Sequence, residues 1–144
     1  MSEAERVLAA LAKLQTSMHG VADEEIAELE TALGLVFPPS YRTFLRQAGR
    51  HVGVFLKGSD FRFDQLRTLN AVGREILAEV SGSDPTRPYY VFLMHQGYQF
   101  LFSEAGPDER PVLKWVDEEG VTVVAESFGV WFSATVDEEL GYED

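Results

Sequence analysis

Cysteine is absent from the 144 residues, which removes disulfide staples, thiolate nucleophiles, thiolate-ligated zinc and iron–sulfur centres together. Cations are scarce: 12 Lys and Arg stand against 24 Asp and Glu, for a net charge of -12. Nucleic acid and anionic membrane surfaces attract proteins through clustered cations, so neither is an expected partner, whereas a basic protein is. No apolar run approaches the ~20 residues that a membrane span needs. Glu3 and Glu5 stand where a secretory leader would be basic and then apolar, so the chain reads as cytoplasmic. Histidine occurs three times, as His19, His51 and His95, each in or beside a predicted turn and without the short spacing of zinc or non-haem iron ligands. The glycine signatures that cradle phosphates are also missing, so no metal and no cofactor is expected.

What is present is the composition of a folded domain, with 45% hydrophobic and 12% aromatic residues, and the length suits one domain over residues 1–144. The acidic excess is lopsided. Residues 1–103 hold 12 acidic and 10 basic side chains, whereas residues 104–144 hold 12 acidic and only 2 basic.

Apolar spacing predicts a helix from Ser2 to Ser17 with Val7, Leu8, Leu11 and Leu14 on one face, interrupted by Met18-His19-Gly20. A second helix begins at Asp23, where acids crowd the positive end of the helix dipole, and stops at Gly34. Pro38-Pro39-Ser40 fixes the start of a third helix, whose Tyr41, Phe44, Leu45 and Ala48 recur at helical spacing while Arg42 and Arg46 lie on its polar face. Val52–Leu56 and Phe61–Phe63, separated by Gly58-Ser59-Asp60, read as a hairpin. A helix opening at Asp64 carries Leu66, Leu69, Val72, Ile76, Leu77 and Val80.

A turn-forming stretch, Gly82–Pro88, leads into strands Tyr89–Met94 and Tyr98–Phe102, at hairpin spacing around Gly97. A second pair, Val112–Val116 and Val121–Ala125, is joined by Asp117-Glu118-Glu119-Gly120, and a last helix runs from Ser127 to about Leu140. The expected fold is α+β: a mainly antiparallel sheet of about five or six strands, covered on one side by N-terminal, middle and C-terminal helices.

Catalytic patterns fail on inspection. Ala125-Glu126-Ser127-Phe128-Gly129 has the outline of a nucleophile elbow, but that hydrolase order places the acid and histidine after the serine, and His95 is the last histidine. Ser127 suits an N-cap instead. Asp117-Glu118-Glu119-Gly120 lacks the alternating ligands and distal glutamate of a calcium loop. Among 24 acids, a carboxylate pair for glycoside chemistry carries no information. No enzymatic activity is expected.

The stretch VADEEIAELETALGLVFPPSYRTFLRQAG, Val21 to Gly49, has a distinctive order. An acidic helix with Ile26, Leu29 and Glu30 runs into Leu33-Gly34, then Phe37-Pro38-Pro39-Ser40-Tyr41, then Phe44-Leu45 and a glycine. This resembles the N-terminal signature of the SUKH superfamily, in its branch related to the yeast cell-wall-assembly regulators. Members typically show Leu where Phe37 stands, and often consecutive glycines where this chain has Gly49-Arg50. The C-terminal half is similar in layout, with Trp115 in a strand and Ala125-Glu126-Ser127-Phe128 before the last helix. The signature residues are structural, a helix stop, a proline-fixed start and aromatic core, and not an active site.

The resemblance implies a protein-binding domain. Bacterial members look like immunity proteins that block partner toxins, often nucleases, by direct contact. Other members look like intracellular regulatory or scaffold domains with no toxin partner. On the toxin reading, the expected contact face is Asp117, Glu118 and Glu119 with Asp137, Glu138 and Glu139, where a cation-rich cleft would be steered. Trp115 and Tyr142 are candidate aromatic anchors beside those acids, with a core position the equal alternative for Trp115. The Arg42 and Arg46 helix and the open sheet face are the alternatives.

Overall fold

The computed structural model describes residues 1–80, 84 and 86–141, so the turn expected at Gly82–Pro88 lies partly, and Tyr142 wholly, outside the described residues. Helix α1, Glu3–Leu14, starts with a reciprocal cap in which the Ser2 hydroxyl accepts from the Glu5 amide at 3.1 Å and the Glu5 carboxylate accepts from the Ser2 amide at 3.3 Å. It ends three residues earlier than expected because Gln15 turns left-handed. The interruption at Met18-His19 is in fact a short strand, β1, which pairs antiparallel with β2, His51–Val52. Helices α2, Asp23–Leu33, and α3, Pro39–Ala48, follow the expected bounds, with Gly34 left-handed at the end of α2 and Pro39 at the head of α3.

The hairpin expected over residues 52–63 does not form. Val52 is taken by Met18, and Gly53 turns the chain at φ +59°. Phe55 and Phe61 are core anchors in an irregular loop, packed on each other at 6.2 Å and on Phe132 and Phe44. Their alternation with polar residues imitated a strand, but burial of single aromatics under a loop produces the same pattern. Phe63–Gln65 is a 3-10 turn, held by the Gln65 side-chain oxygen on the amides of Phe61 and Arg62, and it delivers the chain to α4, Leu66–Leu77.

The remaining strands are β3, Tyr89–His95, β4, Gln99–Glu104, β5, Val112–Val116, and β6, Gly120–Ala125, which form an antiparallel sheet in sequence order. The last helix, α5, spans Phe128–Leu140. Register puts Phe100, Phe102, Leu113, Trp115, Val121 and Val123 on one face, and Leu101, Ser103, Lys114 and Thr122 on the other. The second face meets α3 and α5 through Tyr41 on Tyr90 at 5.0 Å and Phe128 on Phe92 at 5.1 Å, and α1 packs behind those two helices. Buried residues from Val7 in α1 to Val136 in α5 make one contiguous cluster centred on Tyr41, which touches the rings of Phe37, Phe44, Tyr90, Phe92 and Phe128.

Helix α4 does something different: it closes the outer edge of β3. Asn70 donates to the Val91 carbonyl at 3.0 Å and accepts from the Val91 amide at 2.8 Å, the two bonds a neighbouring strand would make. Arg74 donates to the Tyr89 carbonyl, and the backbone of Asp60 exchanges both bonds with Met94. Gly73 makes this approach possible, since a Cβ there would sit 2.5 Å from Val91 Cγ2.

Candidate interaction surface

The β5–β6 connection leaves Asp117, Glu118 and Glu119 exposed to solvent. Its shape comes from backbone bonds, with the Glu119 amide donating to the Val116 carbonyl at 3.0 Å and the Asp117 amide to the Tyr98 carbonyl at 2.9 Å. Glu118 and Gly120 take positive φ, +67° and +88°, which only Gly adopts without cost. The second of these bonds ties the acidic turn to the β3–β4 turn, so Tyr98, 44% exposed and edge-on to His95, lies beside the acids.

The other three acids are on a separate element, the last turns of α5. Asp137 is half-buried and accepts from Lys13 Nζ of α1 at 2.9 Å, so it serves the α1–α5 contact. Glu138 and Glu139 are exposed. Among the described residues no cation pairs with Asp117, Glu118, Glu119, Glu138 or Glu139.

Of the two positions open to Trp115, the structure takes the core: it is 8% exposed and stacked on Phe100 at 5.0 Å. Tyr98 is the aromatic the sequence reading missed. A bond between two turns, 19 residues apart in the chain, was needed to bring it to the acids.

Several cations of the first 103 residues, unlike the acids of the β5–β6 turn, have carboxylate partners. Arg46 pairs with Asp23 at 2.5 Å, Arg50 with Glu25, Arg42 with Glu30 at 3.7 Å, Arg6 with Glu3 at 3.5 Å and Arg87 with Glu104 at 3.1 Å. Arg42 and Arg46, the alternative binding helix, are therefore occupied by the acids of α2. Exposed pairs of this kind contribute little stability, about 0–1 kcal/mol each, but they cancel the local field. The negative potential left over belongs to the C-terminal quarter.

Ser127 is committed to structure. Its oxygen accepts from the Val130 amide at 3.1 Å as the cap of α5, and its hydroxyl donates to Glu3 at 3.0 Å, locking α5 to α1. His95 instead shares a hydrogen bond with Ser59 at 3.1 Å. Glu109 caps α3 through the Ser40 amide at 3.1 Å and the Ser40 hydroxyl. A void lined by Phe44, Phe55, Phe61, Phe92, Phe128 and Phe132 measures about 10 Å³, room for at most a water, and has no polar lining to hold one.

Residues 20–134 match the model of the SMI1 / KNR4 family (SUKH-1). The chain belongs to this family. No curated protein matches it. The SUKH-1 match contains the aromatic nucleus around Tyr41, the whole four-stranded sheet and the acidic β5–β6 turn. Helix α1 and the Asp137–Glu139 end of α5 fall outside it, and those two segments are joined to each other by the Lys13–Asp137 pair. No described helix of this SUKH-1 chain is long and apolar enough to cross a membrane.

Proposed function

We propose that this SUKH-1 chain is a non-catalytic, cytoplasmic protein-binding domain, an immunity protein that neutralises a cognate toxin by covering a basic surface on it. The observation that carries the reading is the uncompensated acidic turn, Asp117 to Glu119, in a molecule where Arg42, Arg46 and Arg50 are paired with acids of α2. A nuclease cleft is cationic because it holds phosphates. An exposed carboxylate turn is steered toward such a cleft and competes there with the nucleic acid. Tyr98 beside the acids supplies an aromatic contact of the kind that dominates interface energetics.

The test is co-expression with the product of the adjacent gene, measured as rescue from toxicity, followed by association kinetics across salt concentrations. Reversal of Asp117, Glu118 and Glu119 to Lys slows association at least tenfold at low salt and flattens its salt dependence, with the fold unchanged. Wild-type kinetics in that triple variant refute the acidic-turn reading. A chain that binds nothing from its gene neighbourhood belongs with the regulatory or scaffold members instead.

A further inference from the structure

The two edges of the four-stranded sheet are treated in opposite ways. The outer groups of β3 are consumed by Arg74, Asn70 and Asp60, the covering that proteins use to prevent strands from adding to a sheet. At the far edge, β6 pairs only with β5, and no backbone group of another described segment bonds to it. Nor does β6, GVTVVA, carry lysine or proline, the usual edge guards. Thr122 is exposed, and Val123 and Val124 are 66% and 42% exposed, the former among the most exposed large apolar side chains of the protein. One guard does exist: the register shifts where Val112 and Leu113 meet β6, leaving Val124 as the extra residue and limiting the straight edge to Gly120–Val123.

We infer that the β6 edge, Gly120–Val123, is a strand-addition site for an extended segment of a basic partner protein, apolar beside Val121 and Val123 and rich in Lys or Arg at its ends. The inference rests on the protein-binding reading above and specifies its geometry. Charge selects the occupant. The edge is bracketed by Asp117, Glu118 and Glu119 at one end and Glu126 at the other, all exposed and without a described ion pair. A second copy of this chain pairing antiparallel through β6 would set Glu118 and Glu119 of one molecule toward Glu126 of the other, and like charges facing across strands are destabilising. A cationic segment turns both ends from repulsive to attractive. Backbone hydrogen bonds along the edge then supply affinity, and Val121 and Val123 supply selectivity for apolar side chains.

The experiment uses two synthetic eight-residue peptides, each with a Val-Thr-Val-Thr centre between paired lysines, identical except that one is N-methylated at every backbone amide of that centre. Charge and side chains are the same, but only the first can pair as a strand. Binding is followed by amide chemical shifts and hydrogen exchange of the full chain. The expected result is at least tenfold tighter binding of the unmethylated peptide, with slowed exchange confined to residues 120–124, and loss of that preference in Val123→Lys, an exposed position where the fold tolerates the change. Equal binding of both peptides, abolished by Glu118→Lys with Glu119→Lys, overturns strand addition while leaving the acidic surface as a binding face. Failure of both peptides to bind overturns the strand site and the turn's attraction for cations together. Protection of residues 120–124 without peptide, accompanied by a dimer in sedimentation, assigns the edge to a second copy and overturns the proposal.

Discussion

Tyr41 separates two contributions that are easily confused, the aromatic ring and the hydroxyl on it. The residue is 1% exposed and contacts five rings, at centroid separations from 5.0 to 6.3 Å. Its hydroxyl bonds no described protein atom. Truncation to Ala removes the ring from the centre of the cluster and costs about 3–5 kcal/mol. At roughly 2–4 °C per kcal/mol for a domain of about this size, the melting temperature falls by about 6–20 °C. Tyr41→Phe keeps the ring and deletes only the unpaired oxygen. An unsatisfied buried hydroxyl costs about 1–3 kcal/mol, offset in part by the small space its removal leaves, so the variant is neutral or up to ~1 kcal/mol more stable. Urea unfolding of the three proteins, compared at equal m-value, measures both differences. A loss above about 1.5 kcal/mol in Tyr41→Phe would show that the hydroxyl makes a bond, and a loss below about 1 kcal/mol in Tyr41→Ala would remove this helix from the core.

Burial raises the phenol pKa of both Tyr41 and Tyr90, while the unfolded chain ionises tyrosine near pH 10. The folded state keeps protons that the unfolded state releases. Stability is therefore intact below pH 10 and falls above it, by about 1.4 kcal/mol per pH unit for each tyrosine, and Tyr41→Phe makes that alkaline loss shallower in pH-dependent unfolding. Asn70→Ala strips the Val91 amide and carbonyl of their partners, a cost of about 2–4 kcal/mol by denaturant unfolding, and light scattering should show concentration-dependent association through the newly opened β3 edge. Gly20→Ala is the most damaging of the conservative changes, because a Cβ would lie 1.6 Å from the Arg46 carbonyl oxygen. It lowers stability by about 3 kcal/mol in the same assay, and a wild-type midpoint would mean that Gly20 is not pressed against α3.

The elements that were legible in the chain are those whose pattern depends on near neighbours. Helix α3 follows from Pro39 and the spacing of Tyr41, Phe44, Leu45 and Ala48, and β5, Val112–Val116, appears within its expected bounds because both ends are marked by turn chemistry. The middle has a strand-like pattern because Phe55 and Phe61 stand among polar and turn residues, yet they are anchored singly by rings from α3 and α5, which no local pattern reveals. The candidate face suffered from the same limit. Exposure of Asp117 to Glu119 follows from a polar turn between two strands, but the diversion of Asp137 to Lys13 joins residues 124 apart, and local acidity contains no sign of it. Nor does any local pattern distinguish Asn70, an ordinary polar residue in an amphipathic helix, from a residue that completes a strand edge.

That last role explains why the two halves of the molecule differ in more than charge. A sheet edge left bare is a hazard in every encounter with another extended chain, so covering one edge with three separate side-chain and loop contacts while leaving the other to solvent is a difference that needs a cause. The acids offer one. At β3 the neighbouring charges are of both signs, Arg74 and Arg87 beside Asp60 and Glu104, and would not repel an approaching strand of ordinary composition, so physical closure protects that edge. At β6 the flanking carboxylates already repel copies of this acidic chain and other proteins of like sign, and they attract a cationic segment. On the strand-addition proposal, the acidic excess selects by charge what the open strand accepts by hydrogen bonding. Neutralising the bracket with Glu118→Gln, Glu119→Gln and Glu126→Gln should leave the fold unchanged and weaken the preference for lysine-rich over glutamate-rich strand peptides at least tenfold at low salt. If the triple variant keeps the full preference, the selection by charge lies elsewhere on the surface and the bracket has no part in it.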